Sequence, residues 1–193
     1  MKQFLDHLLK LSPSPEYIVI SGSLSDGIPE DFYVQIIKIA KKINAKIILD
    51  SSGTPFHLAL EEGVYLSKPN RRELSTYSNC DISNKNELEK AAMKIIEDKK
   101  SEVVVVSLGN EGILFAYKNN CELISAPKVK VISKVGAGDS MVGGITFALS
   151  QGKDIKEAVK YGIACGTAAV MSPGTELCYK KDVEKLYKEI TNK

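Results

Sequence analysis

At 193 residues, 44% hydrophobic and 26% charged, with a formal net charge of +2, the chain is long enough to bury one good core. Its Lys and Arg are interspersed with acidic residues rather than gathered into a basic stripe, and no apolar run approaches the ~20 residues of a transmembrane helix; both argue against a nucleic-acid or membrane specialist. The start, Met1-Lys2-Gln3-Phe4-Leu5-Asp6, lacks a signal-peptide core, and Cys80, Cys121, Cys165 and Cys178 show neither CxxC spacing nor a nearby histidine, so a reducing cytoplasm is expected.

Short apolar runs alternate with stretches of helical period, the pattern of a sheet with crossover helices. The expected strands are 17–20, 46–49, 64–67, 103–107, 113–117 and 122–125. Between the first two, Pro29 occupies a favourable first helical position beside Glu30 and Asp31, and Phe32, Ile36, Ile39, Ala40 and Ile43 mark one apolar face. Leu88, Ala91, Ala92, Ile95 and Ile96 do the same for a helix before residue 103. Val103 to Val106 is continuously apolar, as expected of a central parallel strand covered on both faces. Gly109-Asn110-Glu111-Gly112 supplies turn residues for a hairpin between 107 and 117. After Ser125 only helices are expected, at 137–150, 154–171 and 179–191. Asp154 with Glu157 reads as a capping box, and Ile155, Ala158, Val159, Gly162, Ile163, Gly166 and Val170 as a buried stripe stopped by Pro173-Gly174. With no repeat and no linker, residues 1–193 read as a single α/β domain.

Polar and glycine residues fall where an α/β sheet receives ligands, just past the carboxyl ends of strands: Ser21-Gly22-Ser23, Asp50-Ser51-Ser52-Gly53, Lys68-Pro69-Asn70 and Ser107-Leu108-Gly109. Turn chemistry alone would place such residues there too. The strongest feature is Gly136-Ala137-Gly138-Asp139, where two glycines bracket a helix start and a carboxylate follows in the first turn. Bare N–H groups at the positive helix end can receive an anion, an arrangement suited to phosphoryl transfer. An aspartate there could equally be a dipole-complementing residue.

Ser21-Gly22-Ser23-Leu24, Lys68-Pro69-Asn70-Arg71-Arg72-Glu73-Leu74, Ser107-Leu108-Gly109-Asn110-Glu111-Gly112 and Val135-Gly136-Ala137-Gly138-Asp139-Ser140-Met141, in this order, resemble the sugar kinases of the ribokinase (PfkB) superfamily. Ile48-Leu49-Asp50-Ser51-Ser52-Gly53 and Ser172-Pro173-Gly174-Thr175-Glu176-Leu177 point to its 1-phosphofructokinase and tagatose-6-phosphate kinase branch. The resemblance implies a three-layer α/β/α fold with a mostly parallel sheet, entered partway because the N-terminal substrate and lid portion is missing. It implies transfer of the ATP γ-phosphoryl to a sugar phosphate, with fructose 1-phosphate going to fructose 1,6-bisphosphate as the leading expectation and tagatose 6-phosphate as the alternative.

By the same resemblance Asp139 is the general base, and the amides of Gly136, Ala137 and Gly138 form the anion hole. Asn70 and Glu73 organise Mg²⁺, and Lys68 meets the nucleotide phosphates. Ser107, Leu108, Gly109, Asn110, Glu111 and Gly112 hold ATP, while Ser21, Gly22 and Ser23 meet the sugar phosphate. Local explanations stand beside these: Asn70 and Glu73 as a helix cap, Lys68 as a solvated surface lysine, and close helix packing as the reason for Gly162, Ala164, Gly166, Ala168 and Ala169. His7 and His57 are the only histidines, and neither a P-loop nor a GxSxG elbow is present. A truncated remnant that binds nucleotide without turnover also remains open. An apolar edge near 17–20 is expected to favour self-association or a complementing N-terminal chain.

Overall fold

A computed structural model describes residues 1–192. In chain order the elements are α1 (Lys2–Leu9), β1 (Tyr17–Ser21), α2 (Phe32–Lys42), β2 (Lys46–Asp50), α3 (Gly53–Glu61), β3 (Val64–Ser67), α4 (Arg71–Ser78), α5 (Lys85–Glu97), β4 (Ser101–Ser107), β5 (Ile113–Tyr117), β6 (Asn120–Ile124), α6 (Ala137–Ser150), α7 (Ile155–Ala169) and α8 (Lys180–Thr191). The strands stand in the sheet in the order β1-β2-β3-β4-β5-β6, and β1 to β4 pair in parallel. This is an α/β fold, as the sequence pattern requires. Contacts divide it into two compact units, Met1–Val106 with Ala116–Cys121, and Ser107–Phe115 with the residues from Glu122 onward.

The first unit is built on the parallel strands. Ile47, Ile48 and Leu49 of β2 and Val103 to Val106 of β4 are almost wholly buried, which explains their unbroken apolar runs: a central strand has no solvent face to keep polar. Each such side chain contributes roughly 1.5–3 kcal/mol through burial. Tyr33, Ile36, Ile37 and Ala40 of α2 join Phe56, Ala59 and Leu60 of α3 in one cluster with Ile47 and Leu49. The expected helix start at Pro29 is corrected. Pro29 opens a turn instead, its carbonyl accepting from Phe32 N–H at 3.0 Å, and Asp31 becomes the residue before the first turn. The helix α1 was not anticipated, and α3, which carries His57 as a helix residue, opens earlier than its pattern suggests, on Gly53-Thr54-Pro55, a sequence that reads as a turn. At the sheet's outer edge, Val19 of β1 is 41% exposed, whereas Ile20 beside it is buried and Tyr17 and Ile18 are partly covered.

In the second unit α6 packs on α7 and α7 on α8. Small residues set the spacing. A methyl group on Gly162 would lie 2.4 Å from Ile145 Cγ1, and one on Gly144 would lie 2.6 Å from Cys165 Sγ, so neither helix could approach as closely with larger residues. Residues 162 to 169 of α7 are all buried, a broader face than the expected stripe, whereas Ile155 and Val170 at its ends are only partly covered. The capping box at its start is half formed. Asp154 Oδ1 accepts from Glu157 N–H at 2.9 Å, but the Glu157 carboxylate turns to Lys160 and Tyr187 rather than back to the cap. β6 begins at Asn120, two residues before the expected position.

Candidate active site

In the first unit the register brings strand ends level. Ser21 of β1 pairs with Asp50 of β2, and Leu49 with Ser67 of β3, so residue 50 and residue 68 emerge side by side. Lys68 Nζ lies 3.0 Å from Asp50 Oδ1, and the lysine is only 6% exposed. The solvated-surface explanation for Lys68 is therefore corrected. An ammonium carries three N–H groups, so pairing with Asp50 fixes the side chain while leaving donors for an arriving anion. Asp50 itself was not singled out as a site residue; the signal was its place at the end of a strand beside the one ending at Lys68.

Gly22 follows β1 at φ +89°, a conformation that suits glycine, and its N–H donates to Asp50 O at 2.9 Å. Its carbonyl accepts from Ser51 Oγ at 2.7 Å and Tyr33 Oη at 3.2 Å, which pins the turn, while Ser21, Gly22 and Ser23 are exposed. Asn70 and Glu73 close a full capping box on α4. Glu73 N–H donates to Asn70 Oδ1 at 2.9 Å, and Asn70 N–H donates to Glu73 Oε2 at 2.8 Å. The cap explanation thus holds. It leaves Glu73 Oε1 outside the box, and among the described residues no three His, Cys, Asp or Glu side chains cluster as a metal cage. One carboxylate oxygen suits a magnesium ion that keeps most of its waters and leans on phosphate oxygens.

In the second unit Gly136 sits at φ +75° as the residue before α6, where a side chain would be strained. The first intrahelical partner is Ser140 N–H, 2.8 Å from Gly136 O. No protein acceptor takes the N–H groups of Gly136, Ala137 or Gly138 among the described residues. Asp139 occupies the first turn and is exposed. α7 seats this turn directly, since a methyl group on Gly166 would stand 3.0 Å from Ala137 O. The preceding loop is tied down as well: Ser133 Oγ donates to Gly174 O at 2.9 Å, Val135 N–H donates to Ser133 Oγ at 3.2 Å, and Ile132 N–H to Val170 O at 2.7 Å. Three open amides at a positive helix end, held by a rigid frame, form a ready anion site with a carboxylate beside it.

The loop of Ser107, Leu108, Gly109, Asn110, Glu111 and Gly112 closes through Leu108 N–H to Gly112 O at 2.9 Å, with one 3₁₀ turn at Gly109–Glu111. Gly109, Asn110 and Glu111 are exposed, whereas Gly112 is buried against β6. A methyl group there would fall 2.1 Å from Ile124 O. For Gly112, as for Gly162 and Gly166, close packing is a sufficient reason for glycine.

The profile described as pfkB family carbohydrate kinase matches residues 1–182. The chain belongs to this family. It is 40% identical over 187 residues to the ATP-dependent 6-phosphofructokinase isozyme 2 of Escherichia coli (strain K12), covering 96% of this chain and 60% of that protein. The 1-phosphofructokinase of Borreliella burgdorferi is 31% identical over 189 residues, with 97% and 60% covered. Among solved structures, phosphofructokinase-2 from Escherichia coli in complex with potassium matches with a TM-score of 0.92 at 38% identity, covering 98% of this chain and 62% of that one. The chain thus spans about three fifths of the pfkB relatives named here. No helix among the described residues is long and apolar enough to cross a membrane.

Proposed function

We propose that this pfkB chain carries the phosphoryl-transfer portion of an ATP-dependent kinase acting on a phosphorylated ketohexose. The observation that carries the reading is the start of α6, where the Gly136, Ala137 and Gly138 amides have no protein acceptor and Asp139 stands in the same turn. Asp139 takes the proton of the attacking hydroxyl as its oxygen bonds to the γ-phosphorus of ATP and the bond from that phosphorus to the bridging oxygen breaks, releasing ADP. The amides hold the negative charge that accumulates on the transferred phosphoryl. In the first unit, Lys68, fixed by Asp50, supplies a positive charge for nucleotide phosphates, and Glu73, positioned by Asn70, would hold the water shell of a Mg²⁺ ion that would neutralise phosphate charge. The exposed turn at Ser21, Gly22 and Ser23 offers main-chain and hydroxyl donors to the sugar phosphate, and the exposed backbone of Gly109 to Glu111 lies open to the nucleotide.

The higher identity to a 6-phosphofructokinase supports fructose 6-phosphate as our leading reading, with fructose 1-phosphate and tagatose 6-phosphate, the substrates in the names of other relatives, as the alternatives. A second reading is nucleotide binding without turnover, since the open amides at the start of α6 receive a phosphate whether or not transfer follows. A coupled assay with ATP and each of the three sugar phosphates, beside nucleotide-binding calorimetry and an Asp139→Asn control, separates the two. Transfer that depends on Asp139 establishes the kinase. Nucleotide binding with no Asp139-dependent transfer selects the second reading. The edge strand β1, with Val19 exposed, is the surface through which we expect self-association or a complementing chain to act.

A further inference from the structure

At the opposite ends of β2 and β3 from Asp50 and Lys68, roughly 13 Å away along the strands, the first unit holds an open cleft of about 640 Å³. That volume is in the range of small-molecule sites, roughly 300–1,000 Å³. Lys41, Lys46, Lys99 and Lys118 line it with Tyr65 and Tyr117. Two carboxylates also face it, Glu62 and Glu102. Glu62 is already engaged by Lys38 at 3.4 Å and by Lys41, which donates to its backbone carbonyl as well. That leaves three ammonium groups against one carboxylate.

None of those three lysines forms an ion pair with a carboxylate of the described residues. Two of them, Lys46 and Lys118, stand over aromatic faces. Lys46 Nζ stands 4.9 Å from the Tyr65 ring centre and 5.6 Å from that of Tyr17, and Lys118 Nζ stands 5.0 Å from the Tyr117 ring. These contacts orient the ammonium groups without neutralising them. Lys99 and Lys118 also sit at φ +57° and +54°, in the left-handed region where glycine or asparagine is the ordinary occupant. A long cationic side chain is thus kept twice at positions whose backbone disfavours it. Tyr65 is half buried; burial, and next the neighbouring Tyr117, raise its pKa, so its hydroxyl remains a neutral donor. Ile37, Ile47, Val64 and Ile96 supply an apolar wall.

We infer that this cleft binds a small phosphate ester or polyphosphate, its charged groups held between Lys46, Lys99 and Lys118 and its body against the tyrosine and isoleucine wall. The site is lined by residues of the first unit alone and does not depend on the transfer reading. Lysine ammoniums are compact point charges with several donors, suited to phosphate oxygens that approach from different directions. The residual charge of the lining complements a ligand carrying two or more negative charges.

The test is a two-dimensional amide NMR titration of the ¹⁵N-labelled chain with inorganic pyrophosphate and, separately, with fructose 1,6-bisphosphate. Saturable shifts are expected at the amides of Lys46, Tyr65 and Lys118, for at least one probe. Lys118→Asn keeps a residue tolerant of positive φ, and Lys46→Gln keeps length and polarity. Each is expected to weaken the saturation about tenfold, the scale of one lost charge-assisted contact. Asp139→Asn is expected to leave these shifts unchanged. If a variant loses the dispersed spectrum of a folded chain, Lys99→Asn supplies the same reading from the third cation. Shifts that rise linearly without saturating, that survive both lysine substitutions, or that are absent at these amides would overturn the site.

Discussion

The strand-end cluster of the first unit and the helix start of the second are both polar, but their polar groups are settled differently. Around Asp50 the protein answers its own demands: Lys68 is buried against Asp50, Gly22 is held on both its N–H and its carbonyl, and Asn70 and Glu73 satisfy each other. At the start of α6 nothing from the protein takes the three amides, and Asp139 lies exposed. The first region is therefore sensitive to substitutions that break its internal pairing. The second is sensitive in its chemistry.

The largest effect should come from the open region. Asp139→Asn is expected to cut phosphoryl transfer by about 10²–10⁴-fold in a coupled assay. Its melting temperature should shift only slightly, because asparagine keeps the size and polarity of a side chain that stands exposed in a first turn. Loss of stability together with activity would erase the contrast between the regions. Next, Asp50→Ala leaves Lys68 buried without its ion-pair partner, and should lower unfolding free energy in urea by about 3–5 kcal/mol. A cost under about 1 kcal/mol would show that the pair is not held as described. The apolar replacement Asp50→Leu with Lys68→Met should recover most of that loss.

Gly166→Ala tests how the open region is held. Its methyl group meets Ala137 O at 3.0 Å, so a loss of about 1–3 kcal/mol and weaker nucleotide binding by calorimetry are expected together. Asn70→Ala removes one side of the capping box and should cost about 1 kcal/mol. The smallest effect lies at Glu157, whose carboxyl is held below its usual range by the Tyr187 hydroxyl, against partial burial, with help from Lys160. A depressed folded pKa contributes stability that is present above the unfolded value and fades as pH falls through the folded one. Urea midpoints of Glu157→Gln should therefore trail the parent slightly at neutral pH and converge with it in acid.

Much of the scaffold was legible because local signals agree with the global fold. Val64–Ser67 and Ile113–Tyr117 stand where their apolar runs predicted, and α6 spans the expected residues because Gly136 marks its start. Pro29 misled because proline suits a turn as well as a first helical position, and Asp31 took over the boundary. The start of α3 was hidden by Gly53 and Pro55, both turn residues in isolation. The pairing of Lys68 with Asp50 spans two strands and depends on their register, which no local window contains. The role of Gly166 was equally illegible, since only the contact with Ala137 reveals it.

Gly112 has a consequence for variation in the loop from Ser107 to Gly112. Its neighbours Gly109, Asn110 and Glu111 face solvent, whereas position 112 is walled by the Ile124 carbonyl and the Ala126 amide. In a saturation library, the tip should accept many replacements while position 112 admits none. That loop can change what it displays and still return to the sheet along one fixed track.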